Sequence, residues 1–181
     1  NSNPYPVIDS IAANPSTICI GASSTLSAYS NVTLTGPSGL PGVYCVPVNS
    51  NIQGTARITD VAFNTLSNTN ISTTIPYYDI YPAFGATTTT VIRGNTYPIN
   101  LSTSTPSIIS VWIDWNRNGI FENTEWYQPW VNATTGSLNI TIPVGATLGQ
   151  TGMRIRTRAN GNINGDFDAC TVFGGSGSAQ D

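Results

Sequence analysis

The chain has 181 residues with 9 Asp plus Glu and 6 basic residues, all arginine, for a net charge of −3; it contains no lysine and no histidine. Only 8% of residues are charged, against roughly a quarter in an average soluble domain. This excludes a basic nucleic-acid footprint. No apolar run is long enough to cross a membrane as a helix, and without His, Lys or a Gly-x-Ser-x-Gly elbow no enzyme is expected.

The chain begins at Asn1 without methionine, which suggests a processed, secreted protein that has lost a signal peptide. The expected location is extracellular or at the cell surface. Pro4, Pro6 and Pro15 break up the start. Thr17-Ile18-Cys19-Ile20 and Thr25-Leu26-Ser27-Ala28 then read as two short strands around Gly21-Ala22-Ser23. Two strands cannot bury a core alone, so residues 1–30 are expected to pack on the main domain or to serve as a donor-strand tail for another molecule. Residues 31–42, with Gly36-Pro37, Gly39 and Pro41-Gly42, read as a linker.

Residues 43–181 form the main domain. Strand candidates fall at 55–63, 76–81, 87–93, 96–102, 107–114, 125–131, 137–142 and 152–158, with turn signals such as Arg93-Gly94-Asn95 and Thr135-Gly136 between them. Tyr97, Ile99 and Leu101 alternate with Pro98, Asn100 and Ser102, and no segment has helical periodicity. The expected fold is all-β, an antiparallel β-sandwich of immunoglobulin or jelly-roll type, preceded by an extended two-strand segment.

The stretch richest in chemistry runs from Asp114 to Glu125. Asp114, Asn116 and Asn118 place side-chain oxygens at loop positions one, three and five. Gly119 permits a sharp turn at six, Ile120 offers a carbonyl at seven, and Glu122 and Glu125 supply carboxylates at nine and twelve. A hard cation needs about six to eight oxygens, and this spacing matches the calcium loop of EF-hands. The β-branched flank Ile108–Ile113 is strand-like, so the expectation is Ca²⁺ bound at the end of a strand, with a plain Asn-Gly turn as the other reading.

A weaker echo, Asn160, Asn162, Asn164, Asp166 and Asp168, offers a second candidate metal loop or an ordinary turn; it lacks an acid at position one. Arg154, Arg156 and Arg158 alternate on one strand face, fitting an anion-binding row or cross-strand pairs with Asp60 or Asp79. Trp112, Trp115, Trp126 and Trp130 crowd the first loop; Trp112 is expected in the core, and Trp115 and Trp130 are the candidates for exposure and sugar contact. Sequons stand at Asn31, Asn70, Asn100, Asn132 and Asn139. Asp9-Ser10-Ile11 makes Ser10 a candidate O-glycosylation site.

Two resemblances arise. The opening strands resemble the start of bacterial Ig-like repeats, over those strands alone. From Tyr44-Cys45, through Tyr77-Tyr78-Asp79 and Val111–Phe121, to Ile142-Pro143, Gly145–Gly149 and Met153–Arg156, the chain resembles the GEVED domain of Bacteroidetes-type bacterial extracellular proteins. The family's name-giving Gly-Glu-Val-Glu-Asp stands here as Gly177-Ser178-Ala179-Gln180-Asp181, with two acids lost. The resemblance implies a disulfide between Cys45 and Cys170, leaving Cys19 free or bridged to another chain. The leading expectation is an extracellular structural protein, a subunit of a surface appendage or filament. It would assemble head-to-tail with copies of itself through the N-terminal tail and be braced by calcium. The alternative is a calcium-dependent carbohydrate-binding or adhesion module of a larger secreted protein, with glycans as partners.

Overall fold

The computed structural model describes residues 10–14, 25–29, 44–47, 56–69, 78–173 and 177–181. The chain divides into two compact units, Asn1–Ser38 and Gly39–Asp181. In the first, β1 (Ser10–Asn14) pairs antiparallel with β2 (Thr25–Tyr29), Ser10 opposite Tyr29. The strand expected at 17–20 lies outside the described residues.

The second unit is one curled sheet of seven strands: β3 (Ile58–Phe63), β4 (Leu66–Asn68), β5 (Tyr78–Asp79), β6 (Thr96–Ile113), β7 (Trp126–Thr141), β8 (Met153–Ala159) and β9 (Gly177–Gln180). The architecture is all-β and sandwich-like. Its organising element is the hairpin of β6 and β7, 18 and 16 residues long. β7 runs along one edge of β6, while β3 lies against Ile99–Thr103 on the other edge and β8 against Ser107–Ile113. Register shifts between Ser102 and Ile109 turn the strand where it changes partner. The two halves face each other across a shared core. Ile58, Val61, Phe63, Ile99 and Leu101 come from the first half, and Ile109, Val111, Ile113 and Ile155 from the second. Burying each such side chain stabilises by about 1.5–3 kcal/mol.

The second half of β6 is buried on both faces. Ile109, Val111 and Ile113 enter the core, whereas Ser110 and Trp112 lie beneath the loop that follows β8. Ser110 Oγ donates to the Asn164 carbonyl (2.6 Å) and Trp112 Nε1 to the Asp166 carbonyl (2.9 Å). Trp112 is fully buried, as expected, in a second cluster with Tyr44, Phe121 and Ala169.

Four expectations need correction. The sheet is not wholly antiparallel, because β5 runs parallel to β9. The candidates 96–102 and 107–114 are one strand: Ser104 N–H donates to the Arg57 carbonyl (2.8 Å) and carries pairing across the Ser/Thr/Pro stretch. The candidates 125–131 and 137–142 likewise fuse into β7 across Val131–Gly136. The candidate 87–93 forms no ladder despite its β-branched side chains: Thr87 ends a 3-10 turn and 88–93 are irregular. They are tied to the β3–β4 turn instead, with Asn64 Nδ2 and Thr65 N–H both donating to Thr89 Oγ1 (3.1 and 3.2 Å).

Candidate metal site in the 114–125 loop

Asp114 sits at the end of β6, and Glu125 closes a 3-10 turn (Asn123–Glu125) just before β7. The hairpin geometry therefore brings the first and last residues of the loop together. Gly119 has φ of +79°, the left-handed conformation expected of its place in the turn, and Arg117 is also left-handed at +59°. Asp114 Oδ1 accepts from Asn118 N–H (3.1 Å) and Oδ2 from Gly119 N–H (2.9 Å). Glu125 Oε1 accepts from the N–H groups of Trp115 (2.7 Å) and Asn116 (3.3 Å), and Oε2 from Glu122 N–H (3.3 Å). Asn116 and Asn118 turn their Oδ1 atoms to backbone donors and their Nδ2 groups to the two oxygens of Glu122, at 3.0 and 3.1 Å. The Ile120 side chain projects into solvent.

Asp114 is 0% exposed and Glu125 4%, and among the described residues neither forms an ion pair. Burial raises the Glu125 carboxyl above its ordinary value, with the Asp114 charge adding in the same direction. Two desolvated carboxylates with no counter-charge are costly. The donor set is entirely oxygen, which suits a hard cation. Among the described residues no three Asp, Glu, His or Cys side chains converge on one point, so amide and carbonyl oxygens would have to complete a shell.

Tyr44, read from the sequence as part of the family resemblance and not as a site residue, joins the loop from seventy residues before Asp114. Its hydroxyl donates to Asp114 Oδ2 (2.7 Å) and accepts from Gly152 N–H (3.0 Å). Burial, then the hydrogen bond to Asp114, push the phenol up to about 12, so it remains a donor. Its ring stacks on Phe121 at 4.4 Å. The loop is also stitched to the segment before β8. Arg117 donates to the carbonyls of Gln150 (2.8 Å) and Leu148 (2.9 Å), Thr147 N–H to the Trp115 carbonyl (2.7 Å), and Thr151 Oγ1 to the Asp114 carbonyl.

The neighbouring candidates have other surroundings. Trp115 is buried, with Nε1 donating to Tyr127 Oη (3.0 Å). Trp130 is half-buried, donates to the Ala133 carbonyl (2.9 Å) and lies flat on Gly136, where a Cβ would collide with its ring. In the second loop, Asn162 Oδ1 accepts from Arg158 (3.3 Å), Asn164 is buried, and Asp168 Oδ2 accepts from Gly165 N–H (2.8 Å). Asn160 is exposed and Asp166 Oδ1 accepts from Phe167 N–H (3.1 Å). A guanidinium thus stands within that loop.

Of the arginine row, Arg154 pairs with Asp181, not with Asp60 or Asp79, and also contacts Tyr78 Oη (3.2 Å). Arg156 donates to the carbonyls of Asp168 and Thr171 and lies over the Phe173 ring. Cys45 and Cys170 form a disulfide, Cα atoms 5.7 Å apart. Closing a loop of that length is worth about 4–5 kcal/mol in the chain-entropy model. Asn100, Asn132 and Asn139 are exposed, Ser10 opens β1, and Asn31 and Asn70 lie outside the described residues.

The span holding the strand end, the oxygen-rich loop, β8 and the terminal β9 also has a counterpart among known families. Residues 108–181 match the GEVED domain model. No curated protein and no solved structure matches the chain. The GEVED match begins within β6 and includes both candidate loops, the arginine row and Cys170. Tyr44, Cys45 and Tyr78, which complete these contacts, come from earlier in the chain. Within the GEVED segment, Gly177 packs against the Thr157 carbonyl where a Cβ would clash, and Asp181 neutralises Arg154. Ser178 and Gln180 are buried. Ser178 Oγ accepts from Ile58 N–H (3.0 Å).

Proposed function

We propose that the chain is an extracellular module of a larger assembly, with the 114–125 loop as a calcium-dependent brace and the N-terminal unit as the means of attachment to further copies. The GEVED match supports the extracellular module. The observation that carries the brace is the pair of buried carboxylates, Asp114 and Glu125, which lack a cationic partner among the described residues and close one loop from its two ends. A bound calcium ion would supply the missing positive charge there. Asp114 and Glu125 would hold it with the oxygens of Asn116 and Asn118 and the Ile120 carbonyl, and Glu122 would join only by turning away from the two amides it accepts from. Tyr44 holds Asp114 in place. The bonds to Gln150, Leu148 and Thr147 transmit rigidity to the segment leading into β8.

In this reading the module is a subunit of a surface appendage or filament, joined head-to-tail through residues 1–30. A structural role is favoured over the alternative, a calcium-dependent carbohydrate-binding or adhesion module. The indole nearest the loop, Trp115, is buried and engaged with Tyr127, so it offers no stacking face to a sugar. Electron microscopy of the natively purified protein with and without a chelator tests the assembly. Ordered filaments that fray on chelation and vanish on deleting residues 1–30 are expected. Dispersed monomers in both conditions would overturn it.

A further inference from the structure

The sheet manages its edges unevenly. A strand edge presents unpaired N–H and C=O groups, and proteins blunt such edges by keeping them short or charged. β4 has three residues and β5 two. β7 has sixteen, pairs only with β6 among the described strands, and carries no charged side chain along its whole length. Pro129 and the left-handed Asn132 (φ +62°) interrupt its first part. From Ala133 to Thr141 there is neither proline nor charge. Along that run Thr135, Ser137, Asn139 and Thr141 are exposed, while Ile140 is buried.

We infer that Ala133–Thr141 is an interaction edge, and that its occupant is the same strand of a second copy, added antiparallel about a two-fold axis. Nine residues span roughly 30 Å at about 3.4 Å each. Charge argues for this partner. The chain carries −3 overall, and its uncharged β7 is a surface on which two copies meet without repulsion. The side chains are self-complementary as well. This face already makes a hydroxyl pair across strands, Thr141 Oγ1 to Thr96 Oγ1 at 2.8 Å, and a second β7 brings the same hydroxyl and amide groups. The contact is isologous and involves no residue of the N-terminal unit, so it stands apart from the head-to-tail reading.

The test is sedimentation of the full chain over a concentration series, with hydrogen exchange of the 133–141 amides, for the wild type, Thr135→Lys/Ser137→Lys, and a deletion of residues 1–30. Both substituted side chains are exposed, and circular dichroism checks that the variant folds. The expected result is a dimer in the deletion, and in the wild type the same β7 contact alongside whatever polymer residues 1–30 build, with β7 amides more protected at high concentration. The dissociation constant should rise by roughly tenfold or more in the lysine variant, where like charges meet across the axis. A monomer at every concentration would overturn the inference. So would self-association that disappears with residues 1–30 but leaves β7 amides unprotected; that outcome would favour the tail instead.

Discussion

Removing the Tyr44 hydroxyl takes a donor from Asp114 and an acceptor from Gly152 N–H at once. Tyr44→Phe keeps the ring on Phe121 and leaves a buried N–H unsatisfied. Equilibrium denaturation should show a loss of about 1–3 kcal/mol, with weaker calcium binding by calorimetry. An unchanged calcium affinity would mean that Tyr44 does not position the ligand. Asp181 is a second test at this scale. Arg154 is fully buried against it, beside Phe121 and Tyr78. Asp181→Asn strands a buried cation and should cost about 3–5 kcal/mol in the same assay. A loss below about 1 kcal/mol would show the pair to be solvated like a surface bridge.

At the scale of elements, the proposed calcium brace predicts that stability depends on pH in opposite directions with and without the ion. The Glu125 carboxyl is raised above 4.5 by burial and by Asp114. Its folded-state value lies above the unfolded one, so the folded chain holds that proton more tightly. In the calcium-free protein its contribution is full below the unfolded value and is lost as pH rises through the folded one. A bound calcium ion would need the carboxylate, so the stabilisation it would bring should shrink as pH falls. Melting curves across that window, in calcium and in chelator, should converge on the acid side. A calcium-induced shift independent of pH would remove Glu125 from the shell.

The same elements show how far the sequence could be read. The loop was legible because oxygen donors at alternating positions around Asn118-Gly119 have a mechanical meaning visible in one dimension. Most of the β3, β6, β7 and β8 strands were legible from β-branched composition. β9 was not, since Gly-Ser-Ala-Gln has no strand character of its own and is ordered by pairing with β8 and by burial. The fusion of β6 was hidden because the stretch around Pro106 reads as a break, whereas a backbone bond from Ser104 to Arg57 bridges it. The partner of Arg154 was missed because Asp181 reaches it only through the β8–β9 register.

For the whole molecule, a long hairpin carries both halves of a curled sheet, and an oxygen-rich loop at one of its ends ties in Tyr44 and the segment before β8. The disulfide from Cys45 to Cys170 anchors the residue next to Tyr44, so one staple secures both the early segment and the loop that covers Trp112. In the proposed brace a cation completes this arrangement. Thermal unfolding of the full chain in calcium and in chelator, for the wild type and for Asp114→Asn/Glu125→Gln, tests it most directly. At calcium about a hundredfold above the dissociation constant, the wild type should gain about 2.7 kcal/mol and the double variant almost nothing. Superimposable wild-type curves with and without calcium would show that no ion is bound there.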